Sequence, residues 1–366
     1  MKSRVAAGFS HVPVISRTTH ASGLVRSAPL ARPVTDNCSG VPLAKRSKWE
    51  LAAATKRFSN AATVTADECQ LQHLDIDTSP YQATLLVQCC DRKGVVAALA
   101  QLLSGLSCNI LQSDQYTERD SNTFFQRVHF DYSDLTVGTG NLQVLENCIA
   151  ELAGKYGMEW QICYGLKRKQ LAVLVSKYDH CLFDLLVRHK AGDLNCDIPV
   201  VISNHADLEE VATTFGVDFR FVPAGKGKKE EHEMQIEEIL KDANADLIVL
   251  ARYMQILSPE FCASHWRHTI NIHHSFLPAF EGAKPYHRAQ ERGVKIIGAT
   301  AHYATSDLDC GPIIEQDVTR ITHRDSVKDM IRKGRDLERL VLARAVRWHL
   351  DDRILVHENR TVVFED

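Results

Sequence analysis

From Leu171 onward the chain alternates. "LAVLVS" (171–176), "IPVVISN" (198–204), "DFRFVP" (218–223) and "DLIVLA" (246–251) are short apolar runs. Between them lie "DHCLFDLLVRHKAG" (179–192), "ADLEEVATTFG" (206–216) and the strongly charged "EEHEMQIEEILKDAN" (230–244). Strand-length apolar runs separated by helix-length amphipathic ones predict a doubly wound, mostly parallel α/β sheet. Strands without polar alternation suit burial on both faces. In such sheets a ligand sits outside the carboxyl ends of the strands. That rule selects four segments: "SKYDHC", "SNHADL", "RYMQIL" and "NIHHSFLP".

The chain is 366 residues long, enough for more than one domain. A formal net charge of −3 gives no electrostatic case for binding nucleic acid. No apolar run approaches the roughly 18 to 20 residues needed to span a bilayer, so no membrane partner is expected. The 11 cysteines are irregularly spaced and form no CxxC, which argues for reduced thiols rather than a zinc ribbon or a disulfide framework.

The first third of the chain falls into two parts. Residues 1–75 are rich in Lys, Arg, Ser, Thr and Ala, and Asp36 and Glu50 are the only acids before Asp67. A basic, acid-poor start of this kind suits an organelle transit peptide or a disordered extension, with the mitochondrial matrix ahead of the chloroplast stroma. Residues 80–166 read as βαββαβ: "ATLLVQCC", then an amphipathic helix with Asp91 placed as its N-cap. Two strands around the turn "RDSN", a second amphipathic helix and "MEWQICY" complete the unit. That order predicts a ferredoxin-like unit with both helices on one sheet face. The third part, residues 168–366, carries the alternating pattern and closes with a long helix and a short hairpin, "RILVHENRTVVF".

The loop after the first strand of the third part, "SKYDHCL", has no glycine. A phosphate-binding loop there would need glycines to let backbone N–H groups approach the anion. "GKGK" (225–228) lacks the strand-to-helix context of a P-loop and reads as a solvated loop. A dinucleotide or a nucleoside triphosphate is therefore not expected as a cofactor.

The chemistry-bearing stretch is "TINIHHSFLPAFEGAKPYHRA" (269–289). On a strand, side chains alternate, so Asn271 and His273 share a face and His274 points away. Two histidines on opposite faces cannot chelate one ion, and no metal is expected. Asn271 and His273 can donate together into one cleft and stabilise an oxyanion. Pro278 and Gly282 would shape the loop that follows. Downstream, "TSDLDCGPIIEQDV" places Asp307 and Asp309 in a connecting loop ahead of a Gly-Pro turn. Asp309, nearest that turn, is the candidate for orienting water or relaying protons, although a turn-capping Asp is an equal reading of its position. His302, on the strand before it, is a candidate for lining the cleft.

Two resemblances follow from these residues. Asp91, Lys93 and Gly94 at a strand-to-helix turn, with Asn109 and Ile110 opening the next strand, resemble an ACT domain. ACT domains bind small effectors, often amino acids, between paired copies. The resemblance implies an amino-acid effector and a homo-oligomer, with a purely structural role as the alternative. The run "NIHHSFLPAFEGAKPYHRAQERGVKIIGATAHY…SDLDCGPIIEQD" resembles the formyltransferases that use N10-formyltetrahydrofolate. With the ACT-like unit in front, the chain from about Tyr81 resembles the formyltetrahydrofolate deformylases.

That resemblance implies a hydrolase that converts 10-formyltetrahydrofolate to tetrahydrofolate and formate, in one-carbon metabolism linked to purine biosynthesis, with folate as substrate and no cofactor. The family's Asn/His/Asp trio maps onto Asn271, His273 and Asp309. Its pteridine-binding loops map onto Arg252, Tyr253, Met254, Gln255, Ile256 and Leu257, and onto Thr305, Ser306, Asp307 and Leu308, with His302 beside them. Gln255 stands where many relatives carry arginine, which shifts pterin hydrogen bonding there to backbone groups. His180 and Cys181 are covered by the resemblance and are expected to line the acceptor side of the cleft. Formyl transfer to an amine such as glycinamide ribonucleotide is the rival reading, and a non-catalytic folate or amino-acid sensor is a third.

Overall fold

A computed structural model describes residues 80–225, 227–279 and 285–365. The expected transit or extension segment, residues 1–75, lies outside the described residues, as does Gly282.

The N-terminal lobe is built from β1 (Gln82–Cys90), α1 (Val95–Gly105), β2 (Asn109–Glu118), β3 (Thr123–Asp131), α2 (Leu142–Tyr156) and β4 (Glu159–Tyr164). Its strands form one antiparallel sheet in the order β2-β3-β1-β4, the βαββαβ arrangement expected. Leu85, Val87, Val128 and Phe130 on the sheet pack against Leu99, Leu103, Leu145 and Ile149 of the two helices. One detail differs from the sequence reading. Helix α1 begins at Val95, and its cap is Gly94 in a left-handed conformation (φ 96°), not Asp91. Glycine takes that conformation without steric cost.

The second lobe contains β5 (Lys169–Val175), α3 (His180–Ala191), β6 (Cys196–Ser203), α4 (Glu209–Thr214), β7 (Asp218–Phe221), α5 (Lys229–Asp242) and β8 (Leu247–Leu250). It continues with α6 (Pro259–Ser264), β9 (Thr269–His273), α7 (Pro285–Arg292), β10 (Ile296–Tyr303), β11 (Ile313–Arg320) and α8 (Val327–Leu350). The hairpin β12 (Ile354–His357) and β13 (Arg360–Val363) ends it. The seven-stranded sheet has the order β11-β10-β9-β8-β5-β6-β7. β5 through β9 pair in parallel, whereas β10 runs antiparallel to both β9 and β11.

The fold expectation holds, with an antiparallel edge added. Strand order reverses between β5 and β8, so the crevice lies at their carboxyl ends. The antiparallel β9–β10 register sets His302 opposite Asn271 and Thr300 opposite His273. Opposed residues in a ladder project to the same face, so one sheet face carries all four.

Helix α8 runs along this sheet and buries Leu337, Val341, Leu342, Ala345 and Val346 in the core. Ser326 and Asp329 close its first turn with a reciprocal capping box. Its other end is capped from the N-terminal lobe. Buried Arg127, on β3, donates to the carbonyls of Asp352 (3.0 Å) and Asp351 (3.2 Å), while Lys169 donates to that of Leu350 (2.8 Å). Cations on the last carbonyls of a helix satisfy orphan acceptors and oppose its dipole.

Candidate active site

The carboxyl ends of β5, β8 and β9 and the β10–β11 loop surround a cavity of about 620 Å³, a size suited to a small organic ligand. Every residue expected from the sequence to act, to bind substrate or to line the cleft lines it except Asp307 and Cys181, which is buried behind it. Asp307 instead turns the loop: its carbonyl accepts from Thr305 Oγ1 (2.9 Å) and from the Cys310 amide (3.3 Å).

The expected trio converges. His273 and Asp309 meet at 3.1 Å between Nδ1 and Oδ1, and His302 Nε2 lies 3.7 Å from the same oxygen. Asp309 sits in the left-handed region at φ 57°, a conformation that aspartate adopts more readily than most residues. Burial alone would raise the Asp309 carboxyl. The hydrogen bond from His273 outweighs burial and holds it well below the usual carboxylate range.

The other ring nitrogen of His273 faces Ser275 Oγ at 2.7 Å, and Ser275 donates to the Ala279 carbonyl at 3.0 Å. The His273 ring is thus held between the Asp309 carboxylate and the Ser275 hydroxyl.

His302 has a more definite part than lining the cleft. Its Nδ1 lies 3.0 Å from the Tyr303 carbonyl, an atom that can only accept, so Nδ1 carries the proton. Its Nε2 is then an acceptor, and the Asn271 amide nitrogen lies 3.1 Å away. His302 therefore fixes the Asn271 amide with its nitrogen towards His302 and its second N–H free to donate elsewhere.

His274 departs from the strand argument. β9 ends at His273, so alternation no longer governs the next residue. The His274 ring turns back to lie 5.1 Å from that of His273 and 6.2 Å from Tyr286, and it lines the same cavity. Burial first, and the Arg252 charge second, lower it to about 4, which leaves it neutral near pH 7.

The two substrate loops present apolar surface. Met254, Ile256 and Leu308 are 54, 63 and 61 % exposed although aliphatic, and all three line the cavity. Exposed apolar side chains on two loops of one cleft suit a flat heteroaromatic ligand. Tyr253 is buried with its hydroxyl 2.6 Å from His232 Nε2, so it braces the loop. Ser176 Oγ accepts from the Met254 amide at 3.0 Å and ties the loop to the end of β5.

Arg252 lines the cavity as expected; it adopts φ 65° and turns its side chain towards Glu338, with 3.4 Å between Nε and Oε2. Glu338, on α8, is almost wholly buried. It accepts from His180 Nε2 at 2.7 Å and from the Tyr286 hydroxyl at 3.1 Å. Burial would raise the Glu338 carboxyl, but the His180 hydrogen bond and the Arg252 charge lower it.

This cluster, with Tyr178 stacked against Arg252 at 4.9 Å, was not recognised from the sequence. The signal was present as one acid on the apolar stripe of α8: Gly334, Leu337, Glu338, Val341 and Leu342 are all buried.

His180, Cys181 and Glu338 offer donor atoms within 4.8 Å of one another. Their chemistry does not suit a metal. Arg252 already supplies the positive charge at Glu338. Burial, followed by the Glu338 charge, pushes the Cys181 thiol well up and keeps it protonated.

A family model described as formyl transferase matches residues 169–346. The formyltetrahydrofolate deformylase of Synechocystis sp. is 52% identical over 282 residues, covering 77% of this chain and 98% of the relative. The chain belongs to the formyltetrahydrofolate deformylase family. The Bacillus subtilis formyltetrahydrofolate deformylase is 46% identical, covering 79% of this chain and 95% of its own. Among solved structures, a formyltetrahydrofolate deformylase from Pseudomonas syringae pv. tomato matches with a TM-score of 0.76 at 41% identity, over 82% of this chain and all of its own. A glycinamide ribonucleotide transformylase from Symbiobacterium toebii matches at TM-score 0.52 and 28% identity. It covers 54% of this chain and 95% of its own. The deformylase likeness thus extends well beyond what is shared with a transfer enzyme.

Proposed function

We propose that this chain hydrolyses 10-formyltetrahydrofolate to tetrahydrofolate and formate, with Asn271, His273 and Asp309 as its catalytic residues. The observation that carries the reading is the His273–Asp309 pair beside the oriented Asn271 amide, in a cavity walled by exposed aliphatic side chains. The pteridine lies between the Met254–Leu257 and Thr305–Leu308 loops. Water attacks the N10-formyl carbon, and the free Asn271 N–H and the His273 ring stabilise the developing oxyanion. Both histidines approach Oδ1 of Asp309, which leaves Oδ2 to take a proton from the attacking water. Asp309 returns that proton to N10 as the C–N bond breaks, and the formic acid formed ionises to formate. His302 acts as a positioning residue for Asn271.

Formate release from 10-formyltetrahydrofolate by the purified protein tests this reading. Asp309→Asn keeps the shape and removes the base, and a loss of about 10²–10⁴ in turnover is expected. Wild-type turnover in Asp309→Asn would sink the proposed role.

The N-terminal lobe, read as an ACT domain, would bind an amino-acid effector and pair chains into a homo-oligomer. Its βαββαβ topology supports that reading. Formate release measured with each amino acid in turn, and the mass in solution by sedimentation, test the two parts. Among the described residues no helix is long and apolar enough to cross a membrane. A mitochondrial address for residues 1–75 rests on their composition alone, since the relatives cited are bacterial. A fluorescent protein fused behind residues 1–75 that stays outside mitochondria would rule it out.

A further inference from the structure

β9 ends at His273, so no ladder holds the backbone beyond it, and the loop that follows has to place its ring. That loop, residues 275–279, is tied to the sheet by one row of side chains. The strand registers set Thr300 of β10 between His273 of β9 and Gln316 of β11. Thr300 is wholly buried. Its hydroxyl donates to the Ser275 carbonyl (2.9 Å) and accepts from the Leu277 amide (3.1 Å) and from Gln316 Nε2 (2.9 Å). A hydroxyl has one proton to give and two lone pairs to fill, so every site on Thr300 is used. Gln316 Nε2 also donates to the Leu277 carbonyl (3.1 Å). That carbonyl can only accept, which fixes the Gln316 amide with its nitrogen towards the loop.

The row continues to the trio. Ser275 Oγ lies 2.7 Å from His273 Nε2 and donates to the Ala279 carbonyl at 3.0 Å, while the other side of the ring meets Asp309. The loop also lies close against β10. A Cβ on Gly298 would stand 3.0 Å from the Phe276 Cβ, so the glycine admits the loop there. Ser275 and His273 are 5 and 6 % exposed. Leaving such buried polar groups unpaired is costly, which favours the one arrangement that satisfies them together.

We propose that Thr300, braced by Gln316 and acting through Ser275, is a positioning residue for His273: it holds the loop that sets the ring against Asp309 and at the formyl carbon. The inference rests on the deformylase reading above. A ring that serves a carboxylate and an oxyanion at once tolerates little movement, and a misplacement of about 1 Å can cost about 10²-fold in rate. The two substrate loops are separate segments of the chain, so the effect falls on kcat rather than on KM.

Thr300→Val keeps the outline of the side chain and removes the hydroxyl. Formate release per folded molecule is expected to fall by about 10–10²-fold with KM changed less than about twofold. Thr300→Ser, which returns the hydroxyl, is expected to recover most of the loss. The deciding comparison is made in the His273→Ala background. A residue that acts only through His273 has nothing left to lose there, so Thr300→Val should leave the residual rate unchanged. Ser275→Ala, measured in the same two backgrounds with the same pattern expected, carries the test if Thr300→Val misfolds. A folded variant with wild-type turnover overturns the proposal, and so does a loss equally large without the His273 ring. A wild type that releases no formate in any condition overturns the deformylase reading instead.

Discussion

Replacing Gly334 with alanine adds one methyl group to the inward face of α8. The new Cβ would overlap the Tyr286 hydroxyl and stand 2.5 Å from Cζ and 2.8 Å from Cε1 of that ring. Carbon atoms in contact settle at about 3.5–4.0 Å, so the ring must retreat by about 1 Å. Its hydroxyl now lies 3.1 Å from Glu338 Oε1, and a retreat of that size carries it beyond hydrogen-bonding range. Overpacking costs about 1–3 kcal/mol. The lost bond to a buried carboxylate costs about 1.5–3 kcal/mol. Alanine's better helix propensity returns about 1 kcal/mol. The net expectation is about 1.5–5 kcal/mol of destabilisation, read as a lower urea midpoint at unchanged slope.

The Tyr286→Ala background isolates the cause. There the methyl group has room, and Gly334→Ala should cost nothing or stabilise the fold, a coupling of at least about 2 kcal/mol. Equal destabilisation in both backgrounds would show that Gly334 serves something other than the Tyr286–Glu338 contact. A stable Gly334→Ala with the Tyr286 ring in place would refute the packing argument outright.

His273→Ala should lower formate release by about 10²–10⁴, whereas His274→Ala, which removes a neutral neighbour, should cost about tenfold while leaving folate binding measurable. Equal losses would place His274 in the chemistry itself. Acid should destabilise the fold before it reaches the carboxylates. Burial first, and the Lys169 charge second, lower buried His349 to about 3. The unfolded chain takes up that proton below about pH 6.5 and the folded one only near 3. Stability is therefore full above about 6.5 and is lost as pH falls across that window, by about 2 kcal/mol between pH 7 and 4.5. His349→Gln should flatten that slope in thermal melts, and an unchanged slope would assign it to other groups.

The parts of the fold that follow from local periodicity were legible. Apolar runs and amphipathic helices gave the βαββαβ lobe and the parallel strands β5 to β9, because side-chain period reports which face is buried. The direction of β10 was not legible, since a short apolar strand reads alike in either sense. Yet that direction sets His302 opposite Asn271. The Asn271–His273 face followed from alternation along β9. His274 did not, because the strand stops one residue earlier. Asp309 could be singled out by its Gly-Pro neighbour, but its meeting with His273 is a tertiary fact. The Arg252 contact with Glu338 was not legible, since it depends on a left-handed backbone and on a residue of α8 far along the chain.

The reactive trio by itself does not choose a nucleophile. On the proposed mechanism, an oxyanion held by Asn271 and His273 would form equally well from water or from an amine, and Asp309 would take the proton from either. The Symbiobacterium toebii transformylase matches just over half of this chain. On the proposed mechanism the choice of nucleophile falls to the residues around the trio, and Glu338 of α8 is one of those lining the cavity. The N-terminal lobe meets the same helix at its other end, where Arg127 donates to the carbonyls of Asp351 and Asp352.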